Sequence, residues 1–237
     1  MLQILKAADR LRHHLGGVHV CTTLIPKPEL GSPPGVLVGI TDAILMPGEY
    51  FEDSPPPPAT HTVLTFMLEG IAQRSPCQGS QSRLTPGSSQ IEPSLDGNHP
   101  TGTAQRWHNP SPDKLSRLLQ FWISRCPPAG KLKPTAQTAP LGNGVDGPRL
   151  LACPKGSATH LRAPLGMALW QATLHHGQRW RRTLGNGHHA WVTVTAGEVW
   201  CCGKLLSAGD AALAHEEPCL RLQARRPAQL FVLEFDV

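Results

Sequence analysis

Residues 54–70, SPPPPATHTVLTFMLEG, join four consecutive prolines to an apolar run that closes on a glycine. Proline fixes φ and donates no backbone hydrogen bond, so Pro55 to Pro58 read as an extended lead-in, and the strand is expected to begin near Thr60. After a loop comes RLTPGSSQIE (83–92). The second half repeats this order, with WVTVTAGEV (191–199) followed by GKLLSAGDAALAHE (203–216). Each half has a strand ending on Gly, a hairpin, then a small-residue turn, at Pro86-Gly87 or at Ala208-Gly209-Asp210, before the next strand. This predicts a duplicated β-barrel unit.

Working outward, β-like runs recur at GVLVGI (35–40), RLLQFWI (117–123), GMALWQATL (166–174), AALAH (211–215), CLRLQA (219–224) and AQLFVLEF (228–235). Clusters of Gly, Pro, Ser and Asn separate them. With 16% charged residues, 24 Pro and 23 Gly, the chain suits many short strands better than long helices. At 237 residues and 40% hydrophobic it can hold one large all-β domain or two small ones, with a sizeable core. A stretch rich in Pro and Gly, CPPAGKLKPTAQTAPLGNGVDGPR (126–149), reads as a connection with room for a short helical turn. The predicted organisation is a first barrel over 1–125, the connection over 126–149 and a second barrel over 150–237.

A net charge of +5 is compatible with a polyanion partner, but Lys and Arg are scattered. The densest group, Arg179, Arg181 and Arg182 in GQRWRR, reads as solvated surface and argues against nucleic-acid binding. Seven cysteines without regular spacing argue against a disulfide framework. Cys201 and Cys202 are adjacent and should point to opposite faces of a strand, which suits packing better than shared metal binding. The opening residues MLQILKAADRLRHHLGG lack an apolar core of signal-peptide length, and no transmembrane run is evident, so the expected location is cytoplasmic.

The order of these pieces resembles the pirin family, bicupins related to quercetin 2,3-dioxygenase. The landmarks are GVLVGITDAILMPGEYF (35–51), TFMLEG (65–70), LTPGSSQIE (84–92), NPSPDKLSRLLQFWI (109–123), GHHAWVTVTAGEVWCCGKLLSAGDAALAHEE (187–217) and AQLFVLEFDV (228–237). The resemblance implies two double-stranded β-helix (jelly-roll) barrels in tandem. It also implies that a His-x-His pair and a later His-x-Glu in the first barrel hold one divalent metal, usually iron. Alternate residues on a strand share a face, so such pairs can converge on a barrel interior and leave coordination positions open.

Carried onto this sequence through Gly70, the His-x-His pair falls on Pro56 and Pro58. Carried through Asn109-Pro110-Ser111, the His-x-Glu pair falls on Gln105 and Trp107. Proline and tryptophan offer no lone pair to a metal, and Gln105 offers a weak neutral oxygen. A downstream glutamate common in cupins corresponds to Thr62. His61, His99 and His108 lie near the lost positions, with Glu92 on a neighbouring segment, but a one-residue shift sends a side chain to the other face.

In the second half, the pairs at 175–176 and at His188 and His189, together with His215, fall on successive strand segments of one barrel, and one of each pair should face inward. Trp170, Trp180, Trp191 and Trp200, with Trp107 and Trp122 of the first half, read as barrel core and packing, and Trp107 as filler of the former metal cavity. The expectation is a non-catalytic, cofactor-free pirin-like pseudoenzyme that binds a protein partner or a small apolar ligand. The alternative is a metal-dependent quercetinase-type dioxygenase, or another cupin enzyme, with one divalent metal such as iron at a relocated site.

Overall fold

The computed structural model describes residues 1–24, 37–52, 61–74, 82–93, 106–124, 137–140, 146–154, 161–162, 166–185 and 187–236. They are almost entirely strands, apart from a 3-10 turn at Ala7–Asp9. Two compact units emerge, Leu11–Asn143 and a second built from Met1–Arg10 with Gly144–Val237. Among the described residues, no helix is long and apolar enough to cross a membrane.

Strand β1 (Leu2–Leu5) opens the chain. The first barrel then runs through β2 (Leu11–Leu15), β3 (Val18–Leu24), β4 (Leu37–Leu45), β5 (Tyr50–Glu52), β6 (His61–Glu69), β7 (Ala72–Arg74), β8 (Ser82–Leu84), β9 (Ser88–Pro93), β10 (Arg106–His108), β11 (Ser116–Ser124) and β12 (Gln137–Pro140). A sheet ordered β12-β9-β6-β11-β4-β3-β2 faces a smaller one ordered β5-β10-β7-β8. The second barrel contains β13 (Gly147–Cys153), β14 (Leu161–Arg162), β15 (Met167–Leu174), β16 (Arg179–Thr183), β17 (His188–Cys201), β18 (Lys204–Ser207), β19 (Ala211–Ala214) and β20 (Cys219–Asp236). Its sheet runs β1-β19-β17-β20-β15-β13-β14, with β16 on β20 and β18 on β17. This is the all-β bicupin architecture.

The repeated grammar has a repeated geometry. Gly70 and Gly197 both adopt left-handed backbone, φ 72° and 76°, where their strands break register with a neighbour. A Cβ on Gly70 would lie 2.1 Å from the Leu115 carbonyl oxygen, and one on Gly197 1.9 Å from that of Pro227. Only glycine fits such a bulge. The turns that follow also match. The Ser88 N–H donates to the Thr85 carbonyl and the Gly87 N–H to that of Met67, while Asp210 donates to Ser207 and Gly209 to Val194.

Three expectations need correction. Residues 1–10, assigned from sequence to the first barrel, belong to the second unit, where Leu2 to Leu5 pair with Ala211 to Ala214. The connection expected over 126–149 contains strand residues Gln137–Pro140, paired on β9, and strand resumes at Gly147. CLRLQA and AQLFVLEF are one strand, because the register shifts opposite Ala196 to Val199 absorb exposed Pro227, which has no N–H to give.

Asp210 anchors the opening segment. Its carboxylate accepts from Lys6 Nζ at 2.8 Å, from the Ala7 N–H at 2.8 Å and from the Ser207 N–H at 3.0 Å. Burial opposes its ionisation, but the Lys6 ammonium and the two N–H groups hold it below the ordinary carboxylate value. A carboxyl depressed in the fold contributes stability above its unfolded pKa and loses it as pH falls through the folded one. Asp210→Asn should therefore cost about 1.5–3 kcal/mol at neutral pH, with a deficit that shrinks below the ordinary value of 3.8. A denaturant midpoint difference that does not change with pH would show that the charge contributes nothing.

Candidate functional site

The interior of the first barrel lies between its two sheets. Trp107 is the middle residue of β10, which runs between β5 and β7 with Trp107 opposite Phe51 on one side and Arg74 on the other. Its side chain is 0% exposed and sits among Val18, Ala43, Leu45, Phe51, Met67, Ala72, Leu84 and Leu118, which come from both sheets. The indole N–H has no hydrogen-bond partner among the described residues. Fully buried Asn109 fixes where β10 ends: its side-chain amide donates to the carbonyls of Leu45, Met46 and Lys114, and its oxygen accepts from the Ser111 N–H. The NPS segment is thus a structural clamp that sets the depth of Trp107.

The neighbours of Trp107 face the opposite way. His108 stacks on Tyr50 with ring centroids 4.3 Å apart, and the Arg106 guanidinium lies 4.1 Å from the centre of the same ring. Pro56, Pro58, Gln105 and His99 lie outside the described residues, as does the side chain of His61, which opens β6. Thr62, matched to the downstream glutamate, is buried but alternates onto the face of Leu64 and Phe66, away from Met67 of the Trp107 cluster.

A divalent metal does not fit at Trp107. The indole nitrogen's lone pair belongs to its aromatic system, and the surroundings are hydrocarbon. Among the described residues, no three His, Cys, Asp or Glu side chains converge as metal ligands.

One step along the strands from Met67 and Leu118, the interior face turns polar. Thr22, Thr41, Gln120, Thr65 and Gln90 pair in register across β3, β4, β11, β6 and β9. Thr41, Thr65, Gln90 and Gln120 are buried, and Gln120 Nε2 donates to Thr65 Oγ1 at 3.4 Å. This lining offers neutral hydrogen bonds and no titrating group. The sequence signal, unused until the strands are paired, is a Thr or Gln inside three of the apolar runs, Thr41 in β4, Thr65 in β6 and Gln120 in β11.

The second barrel's core is aliphatic, built from residues such as Leu174, Val192, Val194, Leu206, Leu222 and Val232. His189 does not enter it: alternating with Ala190, it lies on the Trp191 side with His215, the ring centroids 6.2 Å apart, and with Phe235 at 5.7 Å. These rings are nearly parallel, at 19° and 16°, so their faces stack and their nitrogens do not converge. Burial, with His215 beside it, pushes the His189 imidazole below its ordinary pKa. His188 packs on Gly185, where a Cβ would meet its ring at 2.5 Å. His175 pairs with Asp146 at 2.7 Å and His176 bonds the Arg225 carbonyl at 2.6 Å, both at exposed positions. Of the second pair, alternation leaves His188 on the Ala190 side and sends His189, with His215, to the other face, so the expected inward set of histidines is not brought together among the described residues. Trp200, read as core, is 41% exposed.

Residues 150–237 match the family described as the quercetinase C-terminal cupin domain. Quercetin 2,3-dioxygenase of Escherichia coli (strain K12) is 23% identical over 198 residues, covering 84% of this chain and 80% of that protein. The crystal structure of bacterial pirin YhhW from Escherichia coli in complex with nickel(II) superposes with a TM-score of 0.81 at 20% identity, over 100% of this chain and 99% of the other. YhaK from Escherichia coli superposes with a TM-score of 0.74 at 22% identity, over 96% and 94% of the two chains.

Proposed function

We propose that the chain is a pirin-like, quercetinase-related bicupin, and that it is a binding or regulatory protein that keeps both barrels without the metal chemistry of the first. The observation that carries this reading is Trp107, fully buried in hydrocarbon where the family resemblance puts a carboxylate ligand. Opening a flavonol ring with dioxygen needs a centre that binds the deprotonated substrate and activates it toward oxygen. Pro56, Pro58, Gln105 and Trp107 cannot assemble one. The barrel offers instead a neutral row of Thr41, Thr65, Gln90 and Gln120 beside an apolar cluster, a lining suited to a small, largely apolar ligand with a few hydroxyl or carbonyl groups. A protein partner acting on the same fold would serve the same regulatory role.

The test is metal content and turnover together. Protein purified without chelator should carry well under one equivalent of iron, nickel, copper, manganese or zinc by mass spectrometry. Quercetin absorbance with excess iron, manganese or nickel should decay no faster than in the protein-free control. About one equivalent of metal lost on His61→Ala or His108→Ala, together with saturable metal-dependent turnover, would establish a relocated catalytic site instead.

A further inference from the structure

The second barrel has a surface pocket of about 630 Å³ whose lining includes Leu222 of the aliphatic core and Trp180 and Cys202, which pack against that core. Its wall is a grid set by strand pairing, because directly opposed residues of antiparallel strands share a face. Arg179 lies opposite Gln223 and Arg181 opposite Arg221 between β16 and β20, and Trp200 lies opposite Gln223 between β17 and β20. Just past β17, the Cys202 N–H donates to the Arg221 carbonyl at 2.8 Å. The result is two rows, Arg179-Gln223-Trp200 and Arg181-Arg221-Cys202, and all six residues line the pocket.

Three features of this grid are costly unless a ligand uses them. Like charges directly opposite on paired strands repel. Yet among the described residues no carboxylate lies within ion-pair distance of Arg179, Arg181 or Arg221. Arg182, on the alternate face, does have one: it holds Glu234 through two hydrogen bonds of 2.6 and 3.0 Å. Trp200 stays partly exposed at the pocket wall. Cys202, at φ 46°, shares with Gly203 the two-residue turn joining β17 to β18, a left-handed position that Asn or Gly ordinarily fills.

We propose that this pocket is a thiol-exchange site in which Cys202 takes up an anionic low-molecular-weight thiol as a mixed disulfide, with Arg179, Arg181 and Arg221 holding the carboxylates of the incoming disulfide and Trp200 covering its chain. The Cys202 thiolate attacks one sulfur of a disulfide R–S–S–R. The Cys202–S bond forms as the old S–S bond breaks, and R–S⁻ leaves with the electron pair and takes a proton from solvent. The Cys202 sulfur is oxidised and the leaving sulfur reduced by the same two electrons.

The local chemistry favours the thiolate. A hydrogen bond from the Cys201 thiol lowers the Cys202 thiol to about 6; burial opposes this, and the Arg221 backbone and guanidinium assist against a nearby Glu217. Cys201, fully buried in the barrel core, is pushed up by the same hydrogen bond and by burial, and stays an inert thiol. The Cys219 sulfur accepts from Arg181 Nε at 3.1 Å, and the Cys202 thiol donates to the Cys219 carbonyl at 3.7 Å, a bond given up when the thiolate forms. The two residues of the adjacent cysteine pair thus have separate roles, one in packing and one in exchange.

The test compares two disulfides on the intact chain: glutathione disulfide, which carries carboxylates, and neutral 2-hydroxyethyl disulfide, each rate normalised to reaction with 2-mercaptoethanol. Peptide mass spectrometry should place the adduct on Cys202, and the normalised rate should favour glutathione disulfide by about tenfold or more at low salt. Arg181→Gln with Arg221→Gln should reduce that preference to about twofold or less, as should high salt. Cys202→Ser should abolish the adduct. Equal normalised rates in the unsubstituted protein, which need no variant to fold, would overturn the proposal, as would adducts persisting on Cys202→Ser or an internal Cys202–Cys219 disulfide as the sole product.

Discussion

Trp107→Ala is expected to destabilise the first barrel by about 3–5 kcal/mol, the usual cost of truncating a fully buried Trp through lost transfer energy and the cavity left behind. The expectation rests on complete burial and on neighbours from seven strands of two facing sheets, which cannot close over the gap without moving both. A metal bound only by the folded state would stabilise it by mass action, so a barrel without one must draw that stability from packing. The indole N–H makes no hydrogen bond among the described residues. Trp107→Phe should therefore cost less than half as much as Trp107→Ala, since it removes volume without leaving a polar partner stranded. Denaturant unfolding of the two variants decides the matter. A shift for Trp107→Ala worth under about 1 kcal/mol is what a solvent-facing side chain would give, and it would leave the first barrel open for a ligand at that position.

The second large effect concerns the two bulge glycines. Gly70→Ala and Gly197→Ala should each cost about 2–5 kcal/mol, combining left-handed backbone strain with overpacking. The obstruction in both is backbone: the Leu115 carbonyl with the Ser116 Cα for Gly70, and the Pro227 carbonyl with the Ala228 Cα for Gly197. Backbone inside a paired sheet cannot rotate away as a side-chain end can. Gly177 provides the internal control, because its φ is 75° but nothing lies within 4 Å of an added Cβ. Gly177→Ala should cost only the conformational part, about 1–2 kcal/mol. Equal costs at all three positions would mean that the bulges relax and that close approach plays no part in their glycine.

Much of the fold is legible in the chain because its strands are punctuated by residues with fixed conformational meaning. Gly70, Gly197, Gly87 and Gly209 mark two bulges and two turns, and their order repeats, so duplication can be read without knowing any contact. Trp107 and the prolines at 56 and 58 are equally legible at the site, since the inability of these side chains to donate a lone pair belongs to the residue and not to its surroundings. The placement of the histidines is less so. Alternation fixes which of two adjacent residues shares a face with a third, but it cannot tell the core face from the other face when both are buried. The sequence left open which of His188 and His189 would face inward, and His189 is buried on the face away from the aliphatic core.

By itself the sequence determined the principal apolar strand runs, the tandem duplication and the absence of donors at Pro56, Pro58 and Trp107, because each of these depends on residues near one another in the chain or on the chemistry of one side chain. Tertiary structure alone decided which distant strands became neighbours. The four-residue run LQIL carries no signal for pairing with Ala211 to Ala214, more than 200 residues away. The threonine and glutamine row of the first barrel and the Arg181-Arg221-Cys202 row of the second exist only once register is set across separate strands. Register is chosen by the summed burial of whole faces and the hydrogen bonds of whole ladders, a collective quantity that no local stretch of sequence contains.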